Sequence, residues 1–73
     1  MNFKMKVAEN IGRFSVEVFG VVGDIIEVVD GVFFDKEGFL WNNDGNLFLN
    51  VEQVNKFFNV PDVLNTRFEL VEE

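Results

Sequence analysis

The chain of 73 residues contains no histidine, no cysteine and no tyrosine, and it has a single serine, Ser15, and a single threonine, Thr66. A hydroxyl nucleophile needs an adjacent base, most often imidazole, and thiolate or imidazole ligands form the common zinc sites. These absences exclude cysteine chemistry and zinc binding through His or Cys, and they leave either hydroxyl without an imidazole base. We therefore expect no enzymatic activity, no cofactor and no metal site.

The missing cysteine also excludes disulfides, which small secreted domains use to compensate for a limited core. No stretch approaches 18 consecutive apolar residues, and no long apolar run follows Lys4 and Lys6, so we expect neither a membrane span nor a signal peptide. These features favour a cytoplasmic protein. With 48% hydrophobic and 26% charged residues, the composition is typical of one small folded domain covering residues 1–73.

The charge is acidic and unevenly distributed. The formal net charge is −7; residues 1–13 carry +2, from three bases and one acid, and residues 14–73 carry −9, from three bases and twelve acids. Between Phe14 and Asp35 there are five acids and no base. Such a surface repels phosphate backbones and anionic lipids and attracts basic proteins, although an acidic balance also serves solubility alone.

Turn-forming residues recur at short intervals and separate runs rich in Val, Ile and Phe, which is typical of a meander of short β-strands. Alternation of apolar and polar residues predicts strands at Phe14–Phe19, Asp24–Val29 and Arg67–Glu72. The clearest hairpin joins residues 32–34 to residues 39–41 through the loop 35–38, where a glycine can take the left-handed conformation. A further turn is predicted at residues 42–45.

One segment has helical spacing instead. Asn50 and Gln53 have the form of a capping box, and Val51, Val54 and Phe58 share one face of the predicted helix. Pro61 should end this helix. The predicted fold is therefore mainly β: a small antiparallel meander or partly open barrel of about five strands, with one short α-helix near residues 51–58.

Three stretches resemble the small acidic proteins of tailed bacteriophages, many of which are expected to be small β-barrels of the Src-homology-3-like type. They are the segment 23–31 (GDIIEVVDG), the hairpin through 36–38 (KEG) and the closing segment 67–72 (RFELVE). The resemblance implies no catalysis and no shared ligand. It implies a binding module that is phage-encoded and acts in the cytoplasm of the host cell.

Aromatic residues are the best candidates for contacts with a partner. Ten Phe and one Trp exceed what a core of this size needs, since each buries roughly 150–250 Å², so some must face outward. Phe33 and Phe34 are adjacent in a strand and point to opposite faces. For Trp41, we favour a core position with its indole N–H bonded to a carbonyl over a role as a partner-facing anchor.

The acidic residues do not suggest a catalytic or metal site. Asp24 and Glu27 would point to opposite faces of a strand, and Asp35 and Glu37 would both be exposed at a hairpin tip. The segment 42–46 (NNDGN) lacks the first ligand and the distal glutamate of a calcium loop, so a plain turn is favoured.

We interpret the chain as a non-enzymatic protein-binding module, an inhibitor or modulator of a basic, nucleic-acid-handling host protein. If the strand 14–19 pairs antiparallel with the strand 24–29, two acids share one outer face with two more at its rim, and together they could mimic DNA phosphates. The predicted partner-binding residues are Glu17, Glu27, Asp30, Asp35, Phe34 and Trp41. Two alternatives remain: a self-associating structural or assembly protein, and a small-molecule-binding oligomer in which Arg13, Lys4 or Lys6 holds an anionic ligand.

Overall fold

The computed structural model describes residues 2–60 and 62–72. Within these ranges the elements are, in chain order, β1 (Phe3–Asn10), α1 (Ser15–Phe19), β2 (Ile25–Val28), β3 (Phe33–Phe34), β4 (Leu40–Trp41), α2 (Val51–Phe57) and β5 (Thr66–Leu70). The predicted mainly β fold is confirmed, as are the 32–41 hairpin and the helix near residues 51–58.

The strands form two antiparallel sheets, neither of which closes into a barrel. One has the order β2-β1-β5 and the other is the β3-β4 hairpin. The central strand, β1, was not predicted, although Phe3, Met5 and Val7 alternate with two lysines. Met5 lies opposite Ile26 on one side and opposite Leu70 on the other. The arrangement is therefore not a sequential meander, because the first strand lies between the second and the last.

The predicted strand at residues 14–19 is wrong, since this segment forms helix α1. Ser15, Val18 and Phe19 are buried, and this spacing of three and four residues places them on one helical face. Phe14 and Val16, which strand alternation would put in the core with Val18, are 46% and 52% exposed. The predicted pairing of residues 14–19 with β2 is therefore wrong as well; β2 pairs with β1.

Two tight turns have the backbone conformation that hairpins favour. Asp30 and Gly31 have φ values of 53° and 79°, and Val29 and Val32 exchange two backbone hydrogen bonds of 2.9 and 3.1 Å across them. Positive φ at both central residues is the signature of a type I′ turn. Gly31 also has a packing role, since a Cβ there would lie 2.5 Å from the Cβ of Leu47. A second turn of this kind forms at residues 43–46, one residue beyond the predicted 42–45, with φ of 53° and 84° at its central residues Asp44 and Gly45.

Helix α2 begins at the predicted cap. The backbone N–H of Gln53 donates to Asn50 Oδ1 at 3.0 Å. Gln53 Oε1 in turn accepts from the backbone N–H of Leu49 at 2.9 Å. In a standard capping box it would accept from the cap residue itself, Asn50, so the bond here is shifted by one residue. The helix ends at Phe57, and the predicted terminator, Pro61, lies outside the described residues.

A single hydrophobic cluster fills the space between the sheet, the hairpin and the helices. Phe19 makes edge-to-face contacts with Phe58 and Phe68, with ring centroids 4.8 and 5.3 Å apart. The buried members are Met5, Val7, Val18, Phe19, Ile26, Val28, Phe33, Phe48, Val54, Phe58 and Phe68. Half of the ten phenylalanines are thus in the core, and the expectation that others face outward is confirmed.

The described part of the chain includes no helix that is both long enough and apolar enough to cross a membrane.

Candidate interaction surface

The hairpin of β3 and β4 is held together by the carboxylate of Asp35. Its Oδ1 accepts the backbone N–H groups of Glu37 and Phe39 at 2.8 and 3.0 Å, and its Oδ2 accepts the indole N–H of Trp41 at 2.7 Å. The hairpin is also joined to α1, because the backbone N–H of Lys36 donates to the carbonyl of Val18 at 2.8 Å. Hydrogen bonds therefore hold the loop both internally, through Asp35, and to helix α1, through Lys36.

The outward side of this hairpin is apolar. Phe34 and Leu40 lie directly opposite each other in the two strands, so their side chains share a face. They are 65% and 53% exposed, and Phe39, at the end of the loop, is 66% exposed. We call these three residues the hairpin surface. Of these three residues, only Phe34 was predicted to contact a partner; Leu40 could have been found by counting outward from the 35–38 loop.

The inward side of the hairpin packs on the core. Phe33 is buried, which confirms that it and Phe34 point to opposite faces. Trp41 is partly buried, with its ring centroid 5.1 Å from that of Phe58 and 6.2 Å from that of Phe57. Its indole N–H bonds to the carboxylate of Asp35, not to a carbonyl as predicted. Trp41 therefore anchors the hairpin to the core from within.

The outer face of the three-stranded sheet carries balanced charge. Lys4 lies opposite Glu27, and the next rungs of the sheet place Lys6 opposite Glu69. Arg67 lies opposite Glu9, with its Nη2 3.1 Å from Glu9 Oε1. The hydrogen bond to Glu9, supported by the charges of Glu9 and Glu69, raises the pKa of Arg67 above its ordinary value. Among the described residues, three bases therefore face three acids on this side of the sheet, a balance that does not mimic a phosphate backbone.

The predicted acidic face does not form as expected. Glu27 faces solvent, but on the balanced sheet face, whereas Glu17 is exposed on α1. Asp30 is exposed in the turn between β2 and β3. The expectation that Asp35 is exposed at a hairpin tip is wrong, because the residue is only 9% exposed and its carboxylate bonds within the protein. Nothing in the local sequence around Asp35 indicated that its carboxylate would bond inside the hairpin.

Among the described residues, no group of three or more acidic side chains is placed to hold a metal ion. The basic residues predicted to hold an anionic small molecule lie on different elements. Lys4 and Lys6 lie on β1, whereas Arg13 precedes α1 and donates from Nε to the carbonyl of Asp62 at 3.5 Å.

Comparison with known proteins gives no relative. No family model matches the chain, no curated protein is similar to it, and no solved structure matches its fold.

Proposed function

We propose that this protein is a non-enzymatic protein-binding module that engages a basic protein through the hairpin surface. The observation that carries the proposal is the directly opposed pair Phe34 and Leu40, both more than half exposed, on a hairpin fixed by Asp35. A hairpin whose backbone is already ordered pays little further ordering entropy on binding, and exposed apolar side chains on it can anchor the centre of an interface.

The charge distribution supports a basic partner. The six charges of the outer sheet face cancel, so the remaining three bases and ten acids of the sequence carry the whole net charge of −7. They include Glu37 in the hairpin loop and Glu17 on α1, both exposed. An excess of this sign accelerates encounter with a basic surface and opposes binding to nucleic acid.

The resemblance to small phage proteins suggests where such a module acts. We propose that it is phage-encoded, works in the cytoplasm of the bacterial host, and inhibits or modulates a nucleic-acid-handling protein whose basic surface normally meets phosphates. The exposed acids outside the sheet face, among them Glu17 and Glu37, then replace those phosphates. The Src-homology-3-like relationship is part of the same proposal.

The test is affinity capture from bacterial lysate at low salt, with wild-type protein and two variants in parallel. The double variant Phe34→Ser/Leu40→Ser removes the two directly opposed side chains of the hairpin surface, and Ile11→Ser removes an equally exposed apolar side chain that lies elsewhere, at 67% exposure. We expect one stoichiometric basic partner that both wild type and Ile11→Ser retain and the double variant loses. Absence of such a partner, or its retention by the double variant, would contradict the proposal.

Charge reversal separates steering from anchoring. Glu37→Lys should slow association and weaken its dependence on salt, because this exposed acid lies in the hairpin loop, beside the hairpin surface. Glu27→Lys, on the balanced sheet face, should have the smaller effect. Equal association rates for the two variants would show that the hairpin loop takes no part in the first encounter with the partner.

Self-association is the second candidate, and one observation favours it. Fifteen large apolar side chains are at least 39% exposed in the described residues, which is a large apolar area for a chain of this size. A second copy could cover part of it. Sedimentation distinguishes the candidates: a monomer at micromolar concentration excludes self-association, whereas a stable dimer that Phe34→Ser/Leu40→Ser dissociates would replace the hetero-complex as the function of the hairpin surface.

A further inference from the structure

The outer edge of β5 is covered by one side chain. Asn55, on α2, donates from Nδ2 to the carbonyl of Phe68 at 2.9 Å and accepts the backbone N–H of Phe68 on Oδ1 at 2.7 Å. Its amide thus makes the two hydrogen bonds that a neighbouring strand would make at this residue. Edge strands with unpaired backbone groups invite added strands, so Asn55 closes the edge at this position.

The same edge is open one step further along. Leu70 lies two residues beyond Phe68, so its backbone N–H and C=O also point away from β1. The bond from the Val71 N–H to the Lys4 carbonyl, at 2.9 Å, agrees with this alternation. In residues 2–60 and 62–72, no side chain bonds Leu70 as Asn55 bonds Phe68.

An apolar groove lies beside this open position. The side chain of Leu70 is on the core face of the sheet, in phase with Phe68, yet it is 47% exposed. It lines a groove of about 320 Å³ together with Phe3, Leu49 and Val51. The N-terminal end of α2 therefore leaves part of the core face uncovered at this end of the sheet.

The charge and the apolar lining of the groove indicate what kind of segment would bind there. Glu52 lines it, and within the described chain no basic residue does. A second copy of this chain, with its net charge of −7, would bring like charge to an acidic rim. A basic segment is complementary to the rim, and a single aliphatic side chain suits the groove.

We propose that the open edge at Leu70 accepts an extended segment of a basic protein as an added strand. In an antiparallel, hydrogen-bonded pair, the residue opposite Leu70 bonds both of its backbone groups and points its side chain to the same face. An aliphatic residue at that position enters the groove between Leu49 and Val51, and flanking lysines or arginines face Glu52. The proposal rests on the proposed function for the basic nature of the partner, and it assigns that partner a second contact site.

The probe is the peptide Ac-Lys-Thr-Leu-Thr-NH2, which ends before the position opposite Phe68 that Asn55 occupies, added to ¹⁵N-labelled protein. We expect it to shift the amide resonances of Leu49, Val51 and Leu70 and to slow hydrogen exchange at Leu70 about tenfold or more. The same peptide methylated on its leucine nitrogen keeps its charge and side chains but cannot donate to Leu70, so we expect no slowing. An equal response to the methylated peptide, or no response to millimolar parent peptide, would overturn the proposal.

Leu49 and Leu47 provide a matched pair of variants. Their exposures are 49% and 52%, but only Leu49 lines the groove. We expect Leu49→Ser to abolish the response at Leu70 and Leu47→Ser to retain it; the reverse would contradict the site. If, without peptide, the Leu70 amide becomes more protected from hydrogen exchange as the protein concentration increases, the edge binds a second copy of the chain and the proposal is overturned.

The hairpin variant separates this proposal from the proposed function. Phe34→Ser/Leu40→Ser leaves the groove intact, so it should respond to the peptide as wild type does. Capture of a partner through the hairpin surface with no peptide response overturns only the strand addition at Leu70. A peptide response without hairpin-dependent capture overturns only the hairpin proposal.

Discussion

The bond between Asp35 and Trp41 should make a measurable contribution to stability. Asp35→Asn keeps the shape of the side chain, and its carbonyl oxygen can still accept the two backbone N–H groups now bonded to Oδ1. The NH2 group then faces the indole N–H, so two donors meet where a 2.7 Å charge-assisted bond existed. Hydrogen bonds to charged groups contribute about 1.5–3 kcal/mol, so we expect a loss of about 2–3 kcal/mol in the free energy of unfolding.

A double-mutant cycle isolates this bond. Trp41→Phe removes the indole N–H while keeping an aromatic ring against Phe58, and the double variant removes both partners. We expect a coupling energy of about 1–2 kcal/mol from urea unfolding of all four proteins, followed by circular dichroism. In thermal unfolding, Asp35→Asn should lower Tm by about 10–20 °C.

The control for this cycle is Glu37→Gln, which removes an exposed carboxylate from the same loop and should change stability by less than about 0.5 kcal/mol. Additivity of Asp35→Asn and Trp41→Phe within about 0.3 kcal/mol would show that the bond between the two side chains contributes no measurable stability. So would an Asp35→Asn variant as stable as Glu37→Gln.

Three further variants test the local structure by thermal and urea unfolding. Gly31→Ala should destabilise the protein by about 1 kcal/mol or more beyond Gly45→Ala, since both have positive φ but only the first would bring a Cβ against Leu47; equal losses would count against that contact. Asn55→Ala should cost about 1–3 kcal/mol because it leaves both backbone groups of the β5 edge unpaired, and an unchanged midpoint would show that water replaces the amide without loss. Asn50→Ala should cost about 1 kcal/mol through the lost cap of α2, and stability within error of wild type would contradict the cap.

Local sequence signals predicted those elements whose chemistry is local. The hairpin through residues 35–38 and the cap at Asn50 depend on a few neighbouring residues, so they could be identified without the structure. The segment 14–19 could not, because Phe14, Val16 and Val18 fit a strand while Ser15, Val18 and Phe19 fit a helix. Tertiary packing decides between the two patterns.

The candidate site was only partly predictable for a similar reason. Phe34 was identified as outward-facing because alternation within a strand is a local property. The burial of Asp35 depends on Trp41, six residues away, and the neutral charge of the sheet face depends on Lys4 and Glu27 becoming neighbours across a strand pair. The number of residues between two side chains does not show whether they become neighbours, because that depends on which strands pair and in what register.

Photocrosslinking at the hairpin surface tests whether Phe34 contacts a basic host protein. We would replace Phe34 by p-benzoylphenylalanine in one protein and Phe14, which is 46% exposed and precedes α1, in another, and irradiate both in bacterial lysate. We expect a covalent product between the Phe34-substituted protein and one basic host protein, with none from the Phe14-substituted control. Products from the Phe14 position alone, or a Phe34 product with the mass of two copies of this chain, would contradict this expectation.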